Sequence, residues 1–202
     1  MPTLLIASRN AHKAGEIAAI LGDDFTVRTL AKLPAAPEVV EDGDTFAANA
    51  VKKATEIAAW LGSQARPDLV LADDSGLEVD ALDGAPGVHS ARYAGGDDNA
   101  PDDANNAKLL RELADVPDDN RGAQFHCVLA LVALGQAAEV RTFEGICRGR
   151  IAQAQAGQGG FGYDPLFVPD GHELSFAELG REVKNAISHR ARALAKLAEY
   201  FR

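Results

Sequence analysis

The sequence predicts an α/β fold in which a mixed, twisted sheet carries a long β-ribbon and flanking helices, organised as two closely packed lobes. Three observations lead there. Strand-like apolar runs alternate with helix-periodic segments through the first half of the chain, the pattern of a sheet with helical crossovers. Two long β-rich segments follow in the second half, joined near Gly135-Gln136, and read as a hairpin ribbon. A length of 202 residues with 47% hydrophobic content is ample for a core, and residues 1–202 show neither an internal repeat nor a low-complexity linker, so they read as a single domain.

Each element follows from local pattern. Leu4 to Ala7 reads as the first strand, and Ala11 to Leu21 as a helix, because Ile17, Ile20 and Leu21 return on one face. Val27 to Leu30 is a second strand. The proline-rich stretch Leu33 to Val40 is a loop that leads through Glu41-Asp42-Gly43-Asp44 into a long helix from about Thr45 to Leu61, which Asp44 or Thr45 can cap. Leu69 to Ala72 is a buried strand and Leu77 to Val79 another, followed by a glycine-rich stretch from Gly84 to Gly96. A helix from about Asp102 to Leu113 carries Leu109, Leu110 and Leu113. The ribbon strands are Ala123 to Leu134 and Glu139 to Ile151, Gly157 to Pro169 is a loop, and a C-terminal helix carries Ile187, Ala191, Leu194, Leu197 and Phe201.

Composition narrows the partners. A net charge of -10 opposes non-specific binding to nucleic acid or to an anionic membrane, so a polyanionic ligand must meet a locally basic pocket or bring a metal. No apolar run approaches the roughly 20 residues that span a bilayer, and Thr3 to Ala7 lacks the flanks of a signal peptide, which places the chain in the cytoplasm. Cys127 and Cys147 lack CxxC spacing and read as buried, reduced thiols.

Four segments carry candidate chemistry. Leu69 to Gly76, LVLADDSG, ends an apolar run in two aspartates, where a hard-metal ligand or a general base would sit; an Asx-type turn with Gly76 at positive φ would use the same residues. Ser8-Arg9-Asn10-Ala11-His12-Lys13 lies at a strand-to-helix junction, whose N–H groups and dipole favour phosphate, though Asn10 would equally serve as an ordinary N-cap beside a solvated lysine. The segment has no Walker-type glycine spacing. Gly159 to Pro165, GGFGYDP, interleaves two exposed aromatics with glycines, which suits stacking on a flat heterocycle with Asp164 accepting from a base or sugar donor; alternatively the aromatics plug the core. Arg181 to Arg192 is the one dense basic segment. On a continuous helix Lys184 and Arg190 would point about 240° apart, so they converge on one anion only if the helix breaks near Ser188 and places His189 and Arg190 in a new first turn. A solvated basic face is the other reading.

Together these segments resemble the inosine triphosphate pyrophosphatase family, the Ham1-type house-cleaning enzymes, over nearly the whole chain. The matching residues are Ser8-x-Asn10-x-x-Lys13-x-x-Glu16, Glu41-Asp42-Gly43-x-Thr45-Phe46 and Ala72-Asp73-Asp74-Ser75-Gly76-Leu77. They continue through Gly84-Ala85-Pro86-Gly87-x-x-Ser90-Ala91-Arg92-Tyr93, Phe125-His126-Cys127, Gly159 to Pro165, and Lys184-Asn185-Ala186-Ile187-Ser188-His189-Arg190. The chain departs from the family at Val40-Glu41, where many relatives carry two consecutive acids, and at Ser8-Arg9, where relatives often have Thr and Gly.

The resemblance implies an active site in the cleft between two lobes, a Mg²⁺ cofactor, and a homodimer. It implies that Ser8 to Lys13 hold the triphosphate and that Asp74 ligates the metal and accepts the proton of the attacking water, with Glu41 as second acidic ligand. Ser75 would contact substrate, Phe161, Gly162, Tyr163 and Asp164 would form the base and sugar pocket, and Lys184, His189 and Arg190 would contact base or phosphate. The reaction implied is hydrolysis of ITP, dITP or XTP to the monophosphate and pyrophosphate. Because successive strand residues point to opposite faces, one aspartate faces the phosphate channel, Asp74 by the family pattern, and Asp73 supports it. Two other functions use the same pocket: a nucleotide-binding regulator without turnover, and a phosphatase of standard or pyrimidine nucleotides, as in Maf-like proteins.

Overall fold

The computed structural model describes residues 1–62, 68–96, 99–135 and 139–202. Six strands form one mixed sheet in the order β2-β1-β3-β4-β5-β6. These are β1 (Thr3–Ile6), β2 (Thr26–Thr29), β3 (Leu69–Val79), β4 (Gly122–Ala133), β5 (Val140–Ile151) and β6 (Phe167–Pro169). β1 runs parallel to both β2 and β3, while β6 is antiparallel to β5. Five helices accompany them: α1 (Ala11–Leu21), α2 (Phe46–Leu61), α3 (Asp102–Glu112), α4 (Phe176–Ile187) and α5 (His189–Tyr200). Among the described residues no helix is long and apolar enough to cross a membrane.

The chain forms two compact units and passes between them four times. The first unit comprises Met1–Asp74, Cys127–Gly145 and Arg190–Arg202; the second comprises Ser75–His126 and Ile146–His189. In the first, Leu4 and Ile6 of β1, Leu69 and Leu71 of β3, and Cys127, Leu129 and Leu131 of β4 share one face at period two, and α1 and α5 cover it with Ile17, Leu21, Leu194 and Leu197. Leu5 and Val70, the intervening residues, are also fully buried, as parallel strands covered on both faces require. In the second unit Leu77 and Val79 of β3, Leu109 of α3 with Leu113 just past its end, and Phe125, Phe167 and Phe176 make a separate aromatic-rich core.

Three expectations need correction. Residues Asp73 to Gly76 do not turn: β3 is one strand of 11 residues running straight through them. Gly76 does not adopt positive φ. The burial of nine of its 11 residues outweighs the turn preference of Asp, Ser and Gly, which is a weak local prior. The segment Gly157 to Pro169 is not wholly loop, because Phe167–Pro169 pairs with Gly149–Ile151 as β6. A helix also precedes the basic segment: Ser175 and Glu178 form a capping box that starts α4, a motif whose spacing was present in the sequence. The expected break at Ser188 is present, since that residue is extended (φ -66, ψ 163) and α5 starts at His189. β4 and β5 are neighbours in the sheet as expected. Gly135, at their junction, adopts φ 86, while Gln136 lies outside the described residues.

Candidate active site

β3 carries the central acids of the first unit, and their carboxylates have different side-chain partners. The Asp73 side chain is fully buried and receives Lys13 Nζ at 2.8 Å, Arg190 Nε at 2.9 Å and the Cys127 thiol at 3.2 Å. Arg190, 1% exposed, also pairs with Glu16. Burial alone would raise the Asp73 carboxyl, but Arg190 and Lys13 outweigh it and hold this group well below the usual carboxylate range. The same contacts raise Lys13: burial would lower it, and the charges of Asp73 and Asp74 prevail.

Asp74 has the opposite balance. Its Oδ1 takes Lys53 Nζ at 3.1 Å, and its Oδ2 is buried with no hydrogen-bond partner among the described residues. Lys53 also meets Glu41 at 3.0 Å and donates to the Asp73 carbonyl at 2.9 Å, so one ammonium ties two carboxylates together. Burial pushes Asp74 up to about 6 against the attraction of Lys53 and Lys13, and the nearby Glu41 carboxylate adds to the rise. Glu41 is itself lowered, since Lys53 overcomes the effect of burial.

Lys53 is the candidate site residue that sequence reasoning missed. Its signal was present: in α2 the buried positions are Phe46, Asn49, Ala50, Lys53, Ala54 and Ile57, so a lysine occupies the core stripe of an amphipathic helix. The segment before α2 directs Glu41 towards it. Thr45 caps the helix by accepting from the Ala48 N–H at 3.1 Å, and Asn49 Oδ1 accepts from the Gly43 N–H at 2.8 Å. A Cβ on Gly43 would lie 2.7 Å from that oxygen, so the close approach requires glycine.

The junction before α1 is less open than expected. Asn10 is the N-cap, its Oδ1 accepting from the N–H groups of His12 and Lys13 at 3.0 and 3.1 Å, and Ser8 Oγ accepts from the Asn10 N–H at 3.1 Å. Two helix donors are therefore satisfied internally and not presented to a ligand, which leaves Lys13 as the strong cation of this segment. Ala11 and His12 are exposed on the first turn, and Arg9 is exposed with its guanidinium on the Ala36 carbonyl at 2.6 Å.

In the second unit Asp164, 1% exposed, accepts from Lys184 Nζ at 2.5 Å and from the Phe161 N–H at 2.8 Å. The Lys184 ammonium stands 4.3 Å from the centroid of the Phe161 ring. Gly160, at φ 76, leaves no space for a Cβ beside the Asp164 carboxylate. Tyr163 is not the exposed aromatic expected: it is 4% exposed, packs in the second core and donates its hydroxyl to the Ser90 carbonyl at 2.8 Å. His189 stacks on Phe125 at 4.8 Å with 16° between the rings. Ser75 lies half-buried within β3. Lys184 and Arg190 do not form a solvated face; each is buried on its own carboxylates, because an unpaired cation at that depth would be prohibitive.

Over residues 4–200 the chain matches the model of the Ham1 family. The chain belongs to the Ham1 family. Two relatives named dITP/XTP pyrophosphatase, from Geobacter sulfurreducens and Opitutus terrae, are each 52% identical to it, covering 99% and 98% of this chain and 96% and 98% of their own length. Among Ham1 structures, the Staphylococcus aureus protein superposes with a TM-score of 0.83 at 38% identity, covering 98% of this chain and 97% of that one. The structure described as a nucleoside-triphosphatase and dITP/XTP pyrophosphatase from Mycobacterium abscessus gives a TM-score of 0.75 at 45% identity, covering 96% and 98%. Likeness over nearly the whole of both chains shows that this chain has the Ham1 fold.

The acids of this Ham1 chain fit a hard divalent ion of a particular kind. Among the described residues no group of three His, Cys, Asp or Glu side chains could hold a metal, so there is no self-sufficient cage. Asp74 offers an unpartnered buried oxygen and Glu41 a second carboxylate on the same lysine. One or two carboxylates completed by substrate phosphates and water is the usual donor set for Mg²⁺.

Proposed function

We propose that this chain hydrolyses noncanonical purine nucleoside triphosphates, ITP, dITP and XTP, to the monophosphate and pyrophosphate. The observation that carries the reading is Asp74: a buried carboxylate with one oxygen tied to Lys53, the other unpartnered, and a proton affinity raised to about 6. A general base works best when its pKa lies near the operating pH. The names of relatives about half identical over their full length support the substrate class.

In this reading Asp74 accepts the proton of the water that attacks the α-phosphorus, and the bond to the β-phosphate bridging oxygen breaks. Asp74 and Glu41 would hold Mg²⁺, which when bound supplies charge neutralisation on the phosphate oxygens and a lower pKa for its water. Lys53 keeps the two carboxylates in place. Lys13, fixed by Asp73, supplies positive charge towards the leaving pyrophosphate. Phe161 and Asp164 form the base pocket with Lys184, whose ammonium is a donor suited to the 6-oxo group of hypoxanthine or xanthine. Adenine presents a donor there, and a mismatch of that kind discriminates by about 10⁴ or more.

Pyrophosphate release from ITP, dITP, XTP, ATP, dUTP and dTTP in the presence of Mg²⁺ tests the proposal. Preference for the 6-oxo purines is expected. Tight ITP binding without release would make the protein a nucleotide-binding regulator, and equal turnover of ATP or dTTP would place its substrates elsewhere.

A further inference from the structure

The second unit holds Gly162 by both of its peptide groups, and both partners come from α3. Its N–H donates to Asp102 Oδ2 at 2.6 Å, and its carbonyl accepts from Asn106 Nδ2 at 3.0 Å. Asp102 and Asn106 stand one turn apart, so they share a face of the helix. Gly162 (φ 62) sits between Phe161 and Tyr163, in the segment where Asp164 and Lys184 already hold Phe161.

α3 is itself firmly anchored. Asn105 receives the Ala94 N–H at 2.7 Å and donates to the Ala91 carbonyl at 3.2 Å, while Leu109 and Leu113 are fully buried in the second core. Asn106 is 1% exposed, and its Oδ1 has no hydrogen-bond partner among the described residues. The side chain thus accepts an unsatisfied buried oxygen in order to place its amide on Gly162, a local cost that packing alone would remove by substituting leucine.

We propose that Asp102 and Asn106 are positioning residues for base recognition: α3 clamps Gly162 and thereby sets where Phe161 presents its ring. This rests on the reading of Phe161 to Asp164 as the base pocket. Neither residue touches the reacting phosphates. Loosening the clamp therefore weakens base binding while the chemical step is retained.

The test uses the full chain with two probes: IMP, whose binding is measured by calorimetry and needs no turnover, and ITP, whose pyrophosphate release is followed. Asp102 is exposed, so Asp102→Ala removes the acceptor without leaving a buried void. Asp102→Ala and Asn106→Leu are each expected to weaken IMP and raise KM for ITP by roughly tenfold, the effect of one lost hydrogen bond, with kcat unchanged. Asp102→Asn, which retains an acceptor oxygen, should restore IMP affinity, and amide exchange at Gly162 should be faster in Asp102→Ala alone of the two Asp102 variants. Unchanged IMP affinity in both weakened variants, even with a lowered Tm, overturns the inference; so does a wild-type protein that does not bind IMP. If wild type binds IMP yet releases no pyrophosphate, the proposed activity falls, and the IMP affinities of the variants decide the inference by themselves.

Discussion

At the scale of single residues, two adjacent aspartates on one strand have been given opposite electrostatic fates. Asp74 is raised in the folded chain from 3.8 to about 6. Below pH 3.8 both folded and unfolded states carry the proton and nothing is lost; between the two values the unfolded chain ionises first, and stability falls as pH rises. Above pH 6 the full cost applies, about 3 kcal/mol. Asp74→Asn, which mimics the protonated acid, should therefore raise Tm at pH 8 in metal-free protein, with the gain vanishing near pH 4, while lowering turnover roughly 10²–10⁴-fold. Thermal melts and pyrophosphate release read the two effects. Asp73→Asn should do the reverse: it leaves Arg190 and Lys13 without their shared counter-charge, and removing one partner of a buried pair costs about 3–5 kcal/mol. Urea unfolding midpoints that fall equally for both variants would contradict this division.

At the scale of elements, the approach to α2 and the strand β3 together build the acidic pair. Gly43 lets the chain pass close to Asn49, and Glu41 thereby reaches Lys53. Gly43→Ala would push a methyl group into Asn49 Oδ1 and Ala48 Cβ, at 2.7 and 2.9 Å, and such overpacking costs typically about 1–3 kcal/mol. The expected outcome is a lower Tm together with weaker Mg²⁺ activation, measured by titrating the metal at fixed ITP. The helices other than α4 and the first strands were legible because amphipathic spacing and caps mark them: Ile17, Ile20 and Leu21 in α1, Thr45 before α2, and Ser188 before α5. β3 was not legible past Ala72. Its residues Asp73, Asp74, Ser75 and Gly76 have turn-forming local preferences, and only pairing and burial within the sheet keep them extended.

At the scale of the whole molecule, each unit builds its own side-chain cluster, one acidic around Lys53 and Asp74, the other aromatic around Lys184 and Phe161. The dependence of kcat/KM on pH reports the essential groups of the free enzyme, so activity should fall as pH drops and Asp74 takes up its proton, near 6 in metal-free protein and at lower pH with Mg²⁺ on the carboxylate. Lys53 holds Asp74 down, and Lys53→Met should move this acid limb to higher pH while reducing activity. A limb that stays in place would remove Lys53 from the account.

The sequence alone determined the α/β class, the positions of α1, α2, α3 and α5 and the family, because periodicity, caps and ordered motifs are properties of the chain read in one dimension. It also singled out Asp74, Lys13, Asp164 and Lys184 by residue type. The tertiary structure decided their chemistry. Asp73 became a buried anchor through Arg190 and Lys13, Asp74 became a poised acid through burial and Glu41 against the pull of Lys53, and Tyr163 became part of the core. Proton affinity and ion pairing depend on burial and on charges brought close by packing, and neither quantity exists until residues as far apart in sequence as Glu16, Asp73 and Arg190 have met.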